Sequence, residues 1–326
     1  MNVSHVSSRY VLQQGPMLST LGKTAARALA QRVLPRKARA VITPGRELKR
    51  SFAPISPALL DAYVAHVGGD PRAYRELVPP HFFPHWAMPV AAETFKSLPY
   101  PILRVVNAGC RMQVNAMLRR GEALHVRAHL AEIDDDGKRA ILTARVVTET
   151  ESTPNALVCD IHAFVPLHTK PTSSTGTKRK TNGGAAKGNG TRVPKPSKSD
   201  ADKPRVPRGA REIDFIKLSA DAGLSFAKLT GDFNPIHWLP AYAKTAGFRN
   251  VILHGFGTFA RACESLNRGL LGGDVRKLHL LEAKFTRPLV LPHAVGVYVH
   301  ERNLFVGDGI EGPAYMAGHF ETGDDR

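Results

Sequence analysis

The sequence LTGDFNPIH occupies residues 229–237 and decides how the second half of the chain is interpreted. Gly231 permits a tight turn, and Asn234 directly before a proline is typical of a capped helix start. These local preferences leave Asp232 and His237 unexplained. A carboxylate and an imidazole around a rigid turn suit proton transfer through one water, because imidazole titrates near neutrality. The alternative is that Asp232 only caps the turn and His237 only packs in the core.

A second polar segment, His254-Gly255, lies just before an amphipathic helix pattern. Apolar residues recur after it at helical spacing, at Phe256, Phe259, Ala260, Cys263, Leu266 and Leu270, while Arg261, Glu264, Ser265 and Arg268 fall on the opposite face. Peptide N–H groups at a helix N-terminus have no intrahelical partner, and a glycine lets a substrate oxygen approach them. Gly255 is therefore a candidate to stabilise a substrate oxygen that gains negative charge. An ordinary loop before a helix is the alternative explanation.

Alternation of apolar and polar residues predicts strands after each helical pattern. The predicted strands are 124–130, 141–147 and 157–165 in the first half and 277–285, 295–299 and 314–320 in the second. Further helical patterns lie at 56–66 and at 84–98, where Pro89 is expected to kink or end the helix. Because a helix followed by antiparallel strands occurs twice, the sequence predicts an α+β fold of two similar domains, each a helix wrapped by a curved sheet.

The net charge of +17 is concentrated in two segments. Residues 1–50 and 169–208 each carry +9, whereas residues 51–168 and 209–326 together carry −1. Residues 169–208 contain no Leu, Ile, Phe, Tyr, Trp or Met, so they cannot bury enough apolar surface to fold. The sequence therefore predicts a basic N-terminal arm over 1–50, a domain over 51–168, a disordered basic linker over 169–208 and a second domain over 209–326.

The chain shows no apolar run near the roughly 20 residues that span a bilayer, and its N-terminus has no signal-peptide core. Residues 17–34 place leucines and alanines among basic residues, as in mitochondrial transit peptides and also in docking helices. Cys110, Cys159 and Cys263 form no CxxC pair, so neither zinc nor a disulfide framework is indicated. A reducing, cytoplasmic location is expected. A mitochondrial location is the alternative if residues 1–50 contain a transit peptide.

Residues 226–260 resemble the MaoC-like hydratase family, which includes R-specific enoyl thioester hydratases and 3-hydroxyacyl thioester dehydratases. The family pattern G-D-x-N-P-[LIV]-H is matched by residues 231–237, and its A-G-F and H-G elements by residues 246–248 and 254–255. The similarity extends over residues 211–322, and the layout resembles the two-domain, double hotdog members. It implies a hotdog fold, in which an antiparallel sheet wraps a long helix, and a hydro-lyase that needs no metal or cofactor.

The resemblance also implies a role for each matched residue. The catalytic dyad of the family falls on Asp232 and His237, and its thioester-polarising amide falls on Gly255. Asn234 would brace the turn, and His254 would lie beside the substrate. The implied reaction is the reversible hydration of a trans-2-enoyl thioester of CoA or acyl carrier protein to the (R)-3-hydroxyacyl thioester, in fatty-acid metabolism.

The first half contains a degenerate copy of the motif over residues 63–74. Aligned on its aspartate, the copy has Arg75 at the histidine position; aligned on its proline, it has Ala73. This half is therefore expected to be inactive, and to complete the pseudo-dimer and shape the acyl tunnel. His81 and His85 lie nearby, but core or surface positions are the simpler explanation of both.

Two other functions are considered. Hotdog folds also host acyl thioesterases, and the fold alone does not decide between the two chemistries. A polyanion-binding protein acting through the two basic tracts is the third hypothesis. Neither tract interleaves aromatic residues with its charges, so no specific nucleic-acid partner is expected. The tracts are expected instead to raise the affinity for acidic carrier protein or CoA phosphates. The resemblance also allows a homodimer of double hotdog chains.

Overall fold

The computed structural model describes residues 6–15, 42–100, 105–167 and 202–323. The largest element of the described chain is an antiparallel sheet of ten strands. The strands are β1 (Leu48–Phe52), β2 (Val106–Val114), β3 (Leu124–Asp135), β4 (Arg139–Glu149), β5 (Leu157–Pro166), β6 (Arg211–Leu218), β7 (Leu278–Phe285), β8 (His293–His300), β9 (Asn303–Gly307) and β10 (Ala314–Thr322).

The strand order β1-β3-β4-β5-β2-β7-β10-β9-β8-β6 is a mirrored repeat. Five strands from each half of the chain occupy one half of the sheet, and each strand has a counterpart at the same distance from the centre. At the central seam between β2 and β7, Cys110 lies opposite Ala283 and Met112 lies opposite Leu281. The seam pairs one edge of each half-sheet with the other, so neither edge is left open.

Helices cover the sheet in both halves. The α-helices are α1 (Pro57–His66), α2 (Pro84–Thr94), α3 (Ala222–Thr230), α4 (Pro240–Thr245) and α5 (Gly255–Gly269), and short 3-10 helices lie at Ser8–Gln13, Pro71–Tyr74, Pro80–Phe82 and Pro235–His237. The long helix α5 packs on β6, β7, β9 and β10, whereas α2 packs on β1, β3 and β4. Each half is therefore a helix against its own five strands.

The core is densest around α5, where every residue from 256 to 267 is buried. The ring of Phe83, which belongs to the first half, lies edge-on to Phe256 and Phe259 with centroids 5.3 and 6.3 Å away. Burial of a large apolar side chain contributes about 1.5–3 kcal/mol. The first half thus adds to the core against the apolar face of α5.

The strands predicted from alternation are all present, and the helix predicted over 56–66 is α1. Pro89 does not end its helix, because α2 continues to Thr94. The neighbouring Ala87, Val90 and Ala91 are buried, and their packing offsets the backbone hydrogen bond that a proline removes.

Folded structure begins before the boundaries that composition predicts at residues 51 and 209. Strand β1 starts at Leu48, opposite Ala128 of β3. Val206 is buried in a small cluster with Tyr298 and Ala314. A single buried apolar residue such as Val206 anchors a short segment, and the average composition of that segment gives no sign of it.

The transit-peptide pattern at 17–34 and the centre of the predicted linker lie outside the described residues. Among the helices that the structure does describe, none combines the length and the apolar character needed to cross a membrane.

Candidate active site

The polar turn, defined as residues 231–237, begins where α3 ends. Gly231 closes the helix in the left-handed conformation, with φ at +83°, which glycine adopts without steric cost. Earlier in the same helix, Gly223 lies so close to the His237 carbonyl that any Cβ would collide with it. Glycines at these two positions let the turn fold back along α3.

Hydrogen bonds within the turn hold Asp232 and Asn234. Asn234 Oδ1 accepts from the N–H of Ile236 at 3.3 Å and caps the following 3-10 helix. Asp232 Oδ1 accepts from the N–H of Asn234 at 3.3 Å. The Asp232 side chain remains 33% exposed, so its carboxylate is accessible to a water or a substrate. Asn234 lies where the expected brace would act.

His237 presents one ring nitrogen to the site. Its Nδ1 hydrogen-bonds to the carbonyl of Ile252 at 2.9 Å, and because a carbonyl only accepts, Nδ1 carries the proton. Nε2 therefore has a free lone pair, and within the described part of the chain nothing hydrogen-bonds to it. Burial lowers the pKa of His237 below its ordinary 6.5 and outweighs the opposing effect of the Asp232 carboxylate. The imidazole is a neutral base at neutral pH.

His254 contacts both Asp232 and His237. Its Nε2–H donates to the carbonyl of Asp232 at 2.9 Å, and its ring stacks on His237 with centroids 3.6 Å apart. The side chain is 2% exposed, and burial, assisted by His237, lowers its pKa to about 3. His254 was expected beside the substrate. The structure instead places it as a neutral support that contacts both Asp232 and His237.

Asp232, His237 and His254 bring a carboxylate oxygen and two ring nitrogens within 4.8 Å of one another. A tetrahedral metal site needs lone pairs that converge on one point. The two rings are stacked with their planes 26° apart, and His254 Nε2 has no lone pair to offer because it donates its hydrogen to the Asp232 carbonyl. The geometry fits acid–base chemistry better than cation binding.

Gly255 is the first residue of α5. Among the described hydrogen bonds its N–H has no acceptor, as is usual at a helix N-terminus. A Cβ here would lie 2.5 Å from the ring of Phe285, the last residue of β7, so only glycine fits without movement. Since Gly255 directly follows His254, this free donor and the His237 imidazole belong to one corner of the fold.

Sequence reasoning missed a buried basic pair beneath this corner. Arg261 donates to the carbonyl of Gly257 at 2.9 Å and to Nε2 of His66, in α1, also at 2.9 Å. Burial lowers the pKa of Arg261 to about 10. Burial and the neighbouring Arg261 lower the pKa of His66 as well. Helical periodicity indicated only that Arg261 lies opposite the apolar stripe. The cover that buries it comes from the first half.

Glu264, one turn along α5, also binds the first half. Its Oε1 accepts from His81 Nε2 and from the Tyr74 hydroxyl, both at 2.8 Å. Burial raises the pKa of Glu264, but the hydrogen bond and charge of His81 and the hydrogen bond from Tyr74 lower it and together outweigh burial, so the pKa lies below the ordinary 4.5. His85 is half-buried and stacks on Phe82 with centroids 4.8 Å apart. Both histidines considered as catalytic replacements thus serve the core.

Comparison with known proteins finds a family model that matches each half of the chain. Residues 203–311 match the family model described as the MaoC like domain, and residues 51–161 match the model described as the FAS1-like dehydratase domain region. The second half is a MaoC-like domain. The polar turn, Gly255 and α5 all lie inside the MaoC-like half, and the other model falls on the half whose motif is degenerate.

Relatives place both halves in one architecture. Enoyl-CoA hydratase ChsH3 of Mycobacterium tuberculosis is 26% identical over 191 residues, which are 59% of this chain and 59% of that protein. The crystal structure of HtdX from the same organism superposes with a TM-score of 0.61 at 18% identity, over 85% of this chain and 100% of that one. Another protein of this organism, described as having a double hotdog fold, superposes with a TM-score of 0.52 at 15% identity, over 86% of this chain and 96% of that one. The predicted double hotdog fold is confirmed.

Proposed function

We propose that this chain is a hydro-lyase that interconverts trans-2-enoyl thioesters and (R)-3-hydroxyacyl thioesters. The proposal is carried by one observation, the free Nε2 lone pair of His237 beside the Asp232 carboxylate, in a corner that also presents the N–H of Gly255. The name of the relative ChsH3, an enoyl-CoA hydratase, supports the same class of reaction.

Hydration uses these three groups in turn. His237 Nε2 accepts a proton from a water while the water oxygen bonds to C3 of the enoyl group. The Asp232 carboxylate accepts the other O–H of that water and orients it. The C2–C3 π electrons move towards the thioester carbonyl, whose oxygen is stabilised by the Gly255 N–H. The proton on His237 then passes to C2, which restores the neutral imidazole and completes the addition of one water.

The lowered pKa of His237 suits this cycle. A base must be unprotonated before the water is activated, and burial keeps the imidazole neutral at physiological pH. The hydrogen bond to the Ile252 carbonyl stabilises the imidazolium that forms during the reaction, because it is a donor bond from Nδ1.

The test is an assay of the full chain on crotonyl-CoA and on longer trans-2-enoyl-CoAs. We expect the enoyl absorbance to disappear and chiral analysis of the product to give the (R)-3-hydroxyacyl thioester. His237→Gln should lower kcat by about 10²–10⁴-fold, whereas His319→Gln, an exposed histidine on β10, should keep wild-type activity. Equal activity in His237→Gln and the wild type would contradict the proposal.

The same assay separates hydration from thioester hydrolysis. A thioesterase would release free CoA thiol and leave a fatty acid, whereas hydration consumes the double bond and leaves the thioester intact. Thiol release without loss of the enoyl absorbance would favour the thioesterase.

The proposal extends to the acyl carrier and to the cellular location. The basic segments 1–50 and 169–208 are proposed to attract acidic carrier protein or CoA phosphates to a cytoplasmic enzyme. We expect kcat/KM on a carrier-protein thioester to fall as salt is added. A kcat/KM that is independent of salt would remove this role for the charge.

A further inference from the structure

Residues 6–14, named here the N-terminal clasp, pack on the end of α3 just before the polar turn. The clasp contains the 3-10 helix Ser8–Gln13, which contacts α3. Its Val6 and Tyr10 are buried members of the main hydrophobic core. A segment predicted to be part of a basic arm therefore belongs to the folded protein.

Gln14 makes the central contact of the clasp. It is fully buried, and its Nε2 lies within hydrogen-bond distance of the carbonyls of Lys228 (3.2 Å), Leu229 (3.0 Å) and Tyr10 (3.2 Å), so its two N–H groups are shared among three acceptors. All three partners are carbonyl oxygens, which only accept, so the amide orientation follows from the contacts. The last carbonyls of a helix have no intrahelical partner. Gln14 supplies the partner for two of them, three and four residues before Asp232.

A second bond ties the two segments in the opposite direction. Lys228 is 8% exposed, and its Nζ donates to the carbonyl of Val6 at 3.1 Å. Hydrogen bonds therefore run in both directions: Gln14 of the clasp donates to carbonyls of α3, and Lys228 of α3 donates to a carbonyl of the clasp. Neither segment can move without breaking buried hydrogen bonds.

The carbonyls of the polar turn continue this series of satisfied acceptors. Four successive carbonyls accept, respectively, from the N–H of Phe233 (to Gly231), His254 Nε2 (to Asp232), Trp238 Nε1 (to Phe233) and the N–H of His237 (to Asn234). Each of these hydrogen bonds ties the backbone of the turn to a neighbouring group, so together they restrict its path. Gln14 of the clasp supplies the donor for two carbonyls just before this turn.

We propose that Gln14 is a positioning residue for the Asp232–His237 pair, acting through the Lys228 and Leu229 carbonyls. It touches no reacting atom; it holds the end of α3, and with it the start of the polar turn. The kinetic consequence rests on the proposed function, whereas the structural consequence does not. Removal of residues 1–14 is accordingly expected to release the turn.

Hydrogen exchange tests the structural consequence without any substrate. Gln14→Met keeps the length of the side chain and removes the donor, and Leu12→Ala, 89% exposed in the same 3-10 helix, is the matched control. We expect amides 231–237 to exchange about tenfold faster in Gln14→Met, as for the loss of one or two hydrogen bonds. Leu12→Ala should match the wild type. Equal protection in Gln14→Met and the wild type overturns the proposal.

A measurement on the wild type covers the case in which Gln14→Met does not fold. In native-state exchange at increasing urea, residues 6–14 and 228–237 should open together as one cooperative unit. Opening of residues 6–14 at low urea, with 228–237 still protected, overturns the proposal.

Kinetics separate positioning from general stabilisation. At a temperature where both proteins are folded, Gln14→Met should lower kcat by about tenfold and change KM by less than about twofold, because the geometry of the pair changes and the binding surface does not. A lower unfolding temperature with unchanged kcat overturns the positioning role. Inactivity of the wild type would instead refute the proposed function and leave the exchange result standing.

Discussion

The two halves of the molecule share an order of strands and differ in one turn. In the MaoC-like half, the chain after α3 bends through Gly231 and brings Asp232 next to His237. In the first half, the equivalent chain after α1 forms the 3-10 helix Pro71–Tyr74, where the half-exposed Asp70 caps the helix. The fold is duplicated, but the Asp–His arrangement is present in one copy.

The first half instead provides side chains that bind α5 of the other half. His66 holds Arg261, and His81 with Tyr74 holds Glu264, so side chains around its degenerate motif grip α5 of the MaoC-like half. Helix α5 carries Gly255 at its first position. The comparison teaches that a duplicated domain that lacks the motif histidine still contacts the helix at which the candidate site of the other half begins.

The strongest test of this difference is to replace the motif aspartate by asparagine in each half. Asp232→Asn should lower kcat for enoyl-CoA hydration by about 10²–10⁴-fold, because the water loses its second acceptor. Asp70→Asn, at the surface of the first half, should keep kcat within about twofold. Steady-state assays on purified proteins measure both. Comparable losses from the two variants would mean that the first half takes part in the chemistry.

The next effect concerns the contact between the halves. Glu264→Ala leaves His81 and Tyr74 buried without their acceptor, so we expect the free energy of unfolding to fall by about 3–5 kcal/mol. Lys49→Ala removes an ion pair whose lysine is 74% exposed and should change stability by less than about 1 kcal/mol. Urea denaturation gives both values. A small change in Glu264→Ala would show that the contact between the halves does not depend on these hydrogen bonds.

A smaller effect is expected at the start of α5. Gly255→Ala places a methyl group against the Phe285 ring, so kcat should fall by about 10–100-fold as the carbonyl oxygen loses its close approach to the N–H. Gly257→Ala is the control, since its Cβ would meet Arg261 and Leu253 no closer than 3.5 Å. Gly255→Ala with Phe285→Leu should recover part of the activity. Wild-type kcat in Gly255→Ala would remove the amide from the mechanism.

The last effect is a pH dependence of stability to which both halves contribute. Burial lowers the pKa of His85 from 6.5 to about 4. Between these values the unfolded chain binds a proton that the native chain does not, so stability falls as the pH falls, by about 1.4 kcal/mol per pH unit for one such group. Above pH 6.5 the contribution is constant.

His85→Phe removes this titration while keeping an aromatic ring to stack on Phe82. The slope of unfolding free energy against pH, measured by urea denaturation between pH 4 and 6.5, should become smaller in the variant. Identical slopes would show that His85 is not neutral in the native protein. His66, His237 and His254 have lowered pKa values too and account for the slope that remains.

Several elements could be predicted because their signals are local. Strict alternation predicted β3, and helical spacing predicted α5, since side-chain direction follows from backbone period alone. Strand β2 was not predicted, although it forms the central seam. Its sequence VNAGCRMQV lacks strict alternation, because the register with β5 shifts between Asn107 and Gly109 and such a bulge interrupts the period of two.

The sequence by itself determined the polar turn, the charged segments and the duplication. Glycine, Asn-Pro and the spacing of Asp232 from His237 act over a few residues, and local sterics and capping are encoded there. Tertiary structure decided which nitrogen of His237 is free, since the carbonyl that sets it is 15 residues away. It also decided that His254 supports the pair and that Gln14, 214 residues before Lys228, completes the end of α3. Such contacts form only when the chain has closed on itself, so no local pattern contains them.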